Sequence, residues 1–244
     1  MMEFPDRHPP EGWLKSLAAG RHVTVLSGAG LSADSGVRTF RDPQDGLWAE
    51  YRPEQLATPG AFAAAPTTVW QWYQWRRRAI GAAQPHAGYH ALARLAGSLG
   101  WQLITQNVDG LHQRAGMTVL EFHGSIWKEH CQRCETPNPE APTTAEEPPR
   151  CSCGGLFRPS VVWFGETLDA QVLQSAAAAM ACDTLLLIGT SAQVYPAAAL
   201  AGEARSRGAT VLEMNPEVTP AQVDSRWCSS ALEGLPTLAK ALLG

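Results

Sequence analysis

Four of the six cysteines fall between positions 131 and 153, spaced Cys131-x2-Cys134, then sixteen residues, then Cys151-x-Cys153. Two close pairs joined by a short loop can bring four thiolates to one ion. A closed tetrahedral shell of that kind suits structural Zn2+ and leaves no open position for a reactive water. The second pair is one residue tighter than a ribbon's usual C-x2-C, and Gly154-Gly155 supplies the permissive backbone such a turn needs. His130 is a conceivable substitute ligand, but four cysteines already fill the shell. Cys182 and Cys228 have no paired neighbour and are expected as small buried residues.

A second set of residues has the types needed to hold a phosphorylated ligand. Gly28-Ala29-Gly30-Leu31-Ser32-Ala33 fits G-x-G-x-x-G/A directly after the β-branched run His22–Ser27. Glycines there allow a tight turn and a close approach to a pyrophosphate. The acidic residue that an ordinary dehydrogenase carries about 20 positions later is missing. A loop with Arg38, Arg41, Asp42 and Asp45 stands in its place. Two more apolar runs end in Gly189-Thr190-Ser191 and Asn215-Pro216; three such ends together favour a dinucleotide.

The third set could move a proton. Trp101–Thr105 ends in Gln106-Asn107-Val108-Asp109, and Val119–Phe122 ends in His123-Gly124-Ser125. A histidine at a strand's carboxyl end, beside amides and a carboxylate, is placed for general-base work. His86 and His90 have an i,i+4 spacing that a metal would accept, but they follow Pro85 and read as the start of a helix.

The elements that must position these groups alternate. Helices are predicted over Glu11–Ala19, Thr67–Ile80, Ala87–Ala96, Ala170–Ala181, Ala197–Ser206 and Leu235–Leu243. Strands are predicted at His22–Ser27, Trp101–Thr105, Val119–Phe122, Thr184–Ile188 and Thr210–Met214. The polar text from Arg41 to Pro59 and from Thr136 to Arg150 reads as loop. Mostly apolar four- to six-residue strands alternating with helices predict an α/β domain whose parallel sheet is covered on both faces. The cysteine segment interrupts it as a small inserted module.

Composition excludes several classes. A net charge of −4 argues against binding nucleic acid or an anionic membrane through bulk charge. With 45% hydrophobic and 17% charged residues the chain is globular. No stretch approaches 18 uninterrupted apolar residues, and Met1–Glu11 has no signal-like apolar core, so a cytoplasmic protein is expected. Reducing surroundings favour metal-bound thiols over disulfides. The oligomeric state, a monomer included, stays open.

Taken together, GAGLSADSG (28–36), TFR (39–41), TQNVDGLH (105–112), HGS (123–125), the four cysteines, VVWFGE (161–166), GTS (189–191) and MNPE (214–217) resemble the sirtuins, NAD+-dependent protein-lysine deacylases. The likeness runs from about Arg21 to Pro236. It implies a Rossmann-type doubly wound domain (1–41, 87–125 and 160–244), a cofactor loop with a helical insertion (42–86) and a zinc-binding module (126–159). It further implies that Gly28, Ala29, Gly30, Ser32, Arg41, Gln106, Asn107, Asp109, Gly189, Thr190, Ser191, Asn215 and Ala231 hold NAD+. An acyl-lysine peptide or protein would add a strand between Gly165-Glu166 and Val194-Tyr195, next to Val162. His123, with Asn107 and Asp109, would be catalytic: the acyl oxygen attacks the ribose carbon bearing nicotinamide, and His123 takes a proton from the ribose hydroxyls. Nicotinamide leaves, the activated hydroxyl attacks the former acyl carbon and water completes the cleavage, so the products would be lysine, nicotinamide and O-acyl-ADP-ribose.

Tyr73 and Arg76 in WQWYQWRRR (70–78) match the Tyr-x-x-Arg of the sirtuins that remove succinyl, malonyl or glutaryl groups. Arginine can fork onto a carboxylate and tyrosine can add a donor. Ala33 is expected to leave room at the base of that pocket, while Arg77 and Arg78 are expected on a solvated face. Arg38 replaces the family's usual proline, which loosens the turn beside the cofactor. The competing readings are a plain deacetylase, a mono-ADP-ribosyltransferase of the same fold, and a non-enzymatic zinc-ribbon module.

Overall fold

In the computed structural model, which describes residues 8–19, 21–38 and 52–244, six strands form one sheet. They are β1 (Val23–Ser27), β2 (Gln102–Thr105), β3 (Leu120–Glu121), β6 (Thr184–Ile188), β7 (Thr210–Met214) and β8 (Ser225–Trp227). Their spatial order is β3-β2-β1-β6-β7-β8 and every pairing is parallel. The chain winds outward from β1 on one side and from β6 on the other. A crevice therefore opens beyond the carboxyl ends of these two strands, the place where doubly wound sheets bind ligands.

Every residue of β1 and of β6 is buried. Alternate side chains enter two different cores, which is why the run Leu185-Leu186-Leu187-Ile188 shows no polar alternation. Val25, Leu186 and Ile188 pack under α1 (Trp13–Ala19), α6 (Ala87–Leu99) and α10 (Ala231–Leu243). Leu26, Leu185 and Leu187 pack under α8 (Ala170–Ala179) and α9 (Ala197–Ser206). Each such leucine contributes about 2 kcal/mol relative to an exposed one. On the first face the backbones of α6 and α10 nearly touch: a Cβ on Gly88 would lie 2.2 Å from the Ala231 carbonyl oxygen.

A third core joins α3 (Pro53–Leu56), α4 (Pro59–Ala64) and α5 (Pro66–Ala82) to β4 (Gly124–Cys131) and β5 (Phe157–Val161), which pair antiparallel. Trp70, Gln74 and Arg77 recur at i, i+4 and i+7 on one face of α5. Trp70 donates to the carbonyl of Ala145 and Gln74 to that of Thr143, each at 2.8 Å. Arg77 pairs with Glu129 at 2.7 Å, and Glu129 also accepts from Asn138 and Thr143. Arg77 is thus buried, contrary to its expected solvated face; only Arg78 is exposed.

Other expectations also needed correction. The stretch expected as loop up to Pro59 is helical in part, since α3 lies within it and α4 begins at its last residue; 39–51 lie outside the described residues. The hairpin β4–β5 had no predicted counterpart, because Pro159 reads as a strand breaker; it sits where the register shifts opposite Glu129. The same two strands straddle positions 125/126 and 159/160, where the inserted module was expected to begin and end. Helix α10 starts four residues before the predicted Leu235, because Ser230 caps the Glu233 N–H at 3.3 Å. Cys182 is buried as expected, but Cys228 is only half-buried.

Candidate functional site

The four cysteine sulfurs of the module lie within 4.8 Å of one another. Cys131 and Cys153 are 3.5 Å apart and Cys134 and Cys151 are 3.7 Å apart. A tetrahedron with metal–sulfur bonds of about 2.3 Å has edges of about 3.8 Å, so one Zn2+ fits this set. Backbone N–H groups of Arg133 and Gly155 approach Cys131 and Cys153 at 3.4 Å each, the orientation that supports thiolate charge. Gly155 is obligatory, since a Cβ there would stand 2.6 Å from the Cys131 sulfur. The tight C-x-C pair therefore leaves the cluster intact.

At the crevice, the Gly28 N–H donates to the Ile188 carbonyl at 2.9 Å and the Gly30 N–H to that of Gly189 at 2.8 Å. A Cβ on Gly28 would fall 2.7 Å from the Thr190 Cα, and one on Gly189, whose φ is +57°, only 2.4 Å from the Leu31 nitrogen. These glycines serve the contact between the turn after β1 and the end of β6, a requirement present before any ligand arrives. Asn215 donates to the Thr190 carbonyl at 3.0 Å, joining the end of β7 to the same rim. Ala29 and Ser191 are half-buried on this rim, and Ala231 is buried at the first turn of α10.

Below the rim lies a buried polar network. Ser32 donates to the Asp109 carboxylate at 2.6 Å and bonds Asn107 Nδ2 at 2.9 Å and the Tyr89 hydroxyl at 2.7 Å. The second carboxylate oxygen of Asp109 accepts the Leu111 N–H at 2.9 Å. Burial pushes the Asp109 carboxyl up; these hydrogen bonds, with the charges of Arg76 and Arg114, pull the other way. Sequence reasoning missed Tyr89, which sits in a helix core position like any aromatic residue.

His123 follows β3 and shares this end of the sheet. Its Nδ1 lies 3.2 Å from the Gln106 carbonyl, so with Nδ1 donating, Nε2 carries the lone pair. Burial holds the imidazole below its usual range, against the Gln106 bond, and His123 is neutral at pH 7. Gln106 in turn donates to Thr190 Oγ1 at 2.9 Å, and the His123 carbonyl accepts the Val162 N–H at 3.0 Å. Segments distant in sequence are therefore held around one base. His112, also missed, lies deeper on α7 (Leu111–Arg114): its Nε2 is 3.1 Å from Ser27 Oγ, and burial pushes it down to about 4.

Tyr73 and Arg76 occupy the face of α5 next to the one that grips the zinc module. Tyr73 is fully buried, and its hydroxyl accepts from the Trp163 indole at 2.8 Å. The Arg76 guanidinium stands 5.1 Å from the Trp72 ring centre and 6.0 Å from that of Tyr73. Burial lowers the Arg76 value, while Tyr73 and Asp109 oppose that shift. Ala33 does not line a buried base there: it is exposed at the end of α2 (Gly30–Ala33). Ala57 is a small buried residue packed in the same core as Tyr73. The Glu166 carboxylate is engaged internally by Arg158 and by the Trp163 N–H at 2.8 Å, so Gly165-Glu166 could offer a peptide only its backbone. Phe164, Val194 and Tyr195 are exposed. Arg41 lies outside the described residues.

Residues 28–196 match the model of the Sir2 family. The chain is 50% identical over 211 residues to NAD-dependent protein deacylase 2 of Pyrobaculum aerophilum, covering 84% of each chain. Among solved structures it is similar to a Sir2 homologue in complex with NAD, with a TM-score of 0.88 and 40% identity, over 99% of this chain and 96% of that one. A triple mutant of a Sir2 homologue, in complex with 2'-O-acetyl ADP ribose, has the same TM-score at 41% identity, over 96% of each chain.

Proposed function

The chain belongs to the Sir2 family, and from that premise we propose an NAD+-dependent protein-lysine deacylase selective for acyl groups that end in a carboxylate: succinyl, malonyl and glutaryl. The observation that carries the selectivity is the buried Tyr73 beside the Arg76 guanidinium, a phenol and a cation on the face of α5 next to the one that grips the zinc module. A half-buried cation held against aromatic rings discriminates between a carboxylate and a methyl group.

NAD+, when bound, supplies the electrophilic ribose carbon and carries the acyl group away. Gly28, Ala29 and Gly30, with Gly189, Thr190, Ser191 and Asn215, form the rim that would hold it, Ser32 and Ala231 would support it from behind, and Arg41 would complete that rim from its loop. Gln106, Asn107 and Asp109 would position the nicotinamide and its ribose. His123 Nε2 accepts a proton from a ribose hydroxyl, and the Gln106 carbonyl stabilises the resulting imidazolium through Nδ1–H. Backbone of Val162, Gly165 and Val194, flanked by Glu166 and Tyr195, receives the acyl-lysine segment as an added strand. The zinc is structural. Among the described residues no helix is long and apolar enough to cross a membrane, and we place the enzyme in the cytoplasm acting on acylated proteins.

A plain deacetylase is the second reading, favoured by the relative held with 2'-O-acetyl ADP ribose. Matched acetyl- and succinyl-lysine peptides, incubated with NAD+ and read by product mass, separate the two. The expected result is a lower KM for the succinyl peptide that is lost in Arg76→Met. Equal handling of both peptides by the wild type and the variant defeats the selectivity and leaves the deacetylase.

A further inference from the structure

Trp163 is fixed at three points in the core between α5 and β5. Its backbone N–H donates to Glu166 at 2.8 Å, and its ring lies 3.2 Å beneath the Arg158 guanidinium, which Glu166 also engages. The third point is the indole N–H, which donates to the Tyr73 hydroxyl at 2.8 Å. Both rings are buried, Trp163 at 2% and Tyr73 at 0% exposure, and Phe62 packs 5.3 Å from Trp163.

An indole N–H can only donate, whereas a phenol has one proton and two lone pairs. The Trp163 bond therefore takes an acceptor site of Tyr73 and directs the phenol proton away from Trp163. Burial raises the Tyr73 value, which keeps that proton on the oxygen throughout the working pH range.

We propose that Trp163 is a specificity-determining residue: its indole N–H orients the Tyr73 hydroxyl as a donor toward the carboxylate of an acidic acyl group. This rests on the acidic-acyl reading above. An acetyl group has no acceptor at that depth and gains nothing from the arrangement, so the effect falls on selectivity rather than on the common chemistry. Trp163 touches no reacting atom and acts through Tyr73 as a positioning residue.

The test measures kcat/KM for succinyl- and acetyl-lysine peptides in wild type, Trp163→Phe, Tyr73→Phe and the double variant. Trp163→Phe should lower the succinyl-to-acetyl ratio by about 3- to 10-fold through the succinyl KM, the effect of one neutral hydrogen bond. In the Tyr73→Phe background the same change should leave the ratio unmoved. If Trp163→Phe does not fold, β-(3-benzothienyl)alanine at position 163 removes the N–H while keeping the indole's shape, and the same drop is expected. A wild-type ratio near one overturns the acidic-acyl reading and this inference with it. A clear wild-type preference that survives loss of the N–H, or a common loss on both peptides, overturns the inference alone.

Discussion

Cys131, Cys134, Cys151 and Cys153 reach one another across a single sixteen-residue loop. Ser32, Tyr89, Asn107 and Asp109 meet only because β1, α6 and the chain after β2 converge at one end of the sheet. The two regions differ in what supplies their energy. In the module the buried apolar cluster is small, Cys131, Cys151 and Phe157 with Cys153 against it, so the ion must provide much of the stability. In the cleft two large cores of the sheet already fix the backbone, and the polar groups are carried on it. The lesson is that the module's structure depends on its chemistry, whereas the cleft's chemistry can be removed with its structure left standing.

The sharpest way to break this contrast is Cys134→Ser. Zinc binding of this kind is worth about 10–16 kcal/mol in isolated modules, so the variant should lose its metal and, through the Arg77–Glu129 pair, loosen α5. Metal analysis should fall from one zinc per chain toward none, and thermal unfolding should become multiphasic. A variant that stayed folded without metal would refute the module half of the comparison.

His123→Ala tests the cleft half. Removing a general base costs about 10²- to 10⁴-fold, so turnover should collapse on both peptides while the melting temperature and NAD+ affinity stay close to wild type. In the wild-type enzyme the acid limb of kcat/KM should lie below pH 6.5, since burial depresses this imidazole.

The smallest expected effect concerns His112, which no reacting atom touches. Its folded value of about 4 lies below the ordinary 6.5, so the unfolded chain binds the proton first. Its contribution is complete above pH 6.5 and is lost as pH falls toward 4. Between pH 7 and pH 5 this amounts to about 2 kcal/mol. Urea midpoints at the two pH values should show that loss in wild type and a shallower dependence in His112→Gln. An identical slope in both would place the burden on other groups.

Much of this was legible in the residues. The runs His22–Ser27 and Thr184–Ile188 announced a sheet covered on both faces, because apolar side chains on alternate sides need helices on both. The C-x2-C and C-x-C pairs announced their cluster because the loop that closes it is local. The hairpin β4–β5 was hidden by Pro159, and β8, at three residues, is too short for any periodic signal. Arg77 was misplaced because sequence spacing names neighbours on a helix, and burial depends on what packs against it. Arg77 became a buried partner of Glu129 only because β4 crosses that face of α5.

The sequence alone therefore determined the alternating elements, the local metal set and the family motifs, all of which rest on short-range spacing and on apolar pattern. Tertiary structure decided which groups share a site. Ser32 donates to Asp109 across 77 positions, and Trp163 donates to Tyr73 across 90. No local rule encodes such pairs; they exist because burying both faces of the sheet brings the strand ends together, and buried polar groups must then find one another.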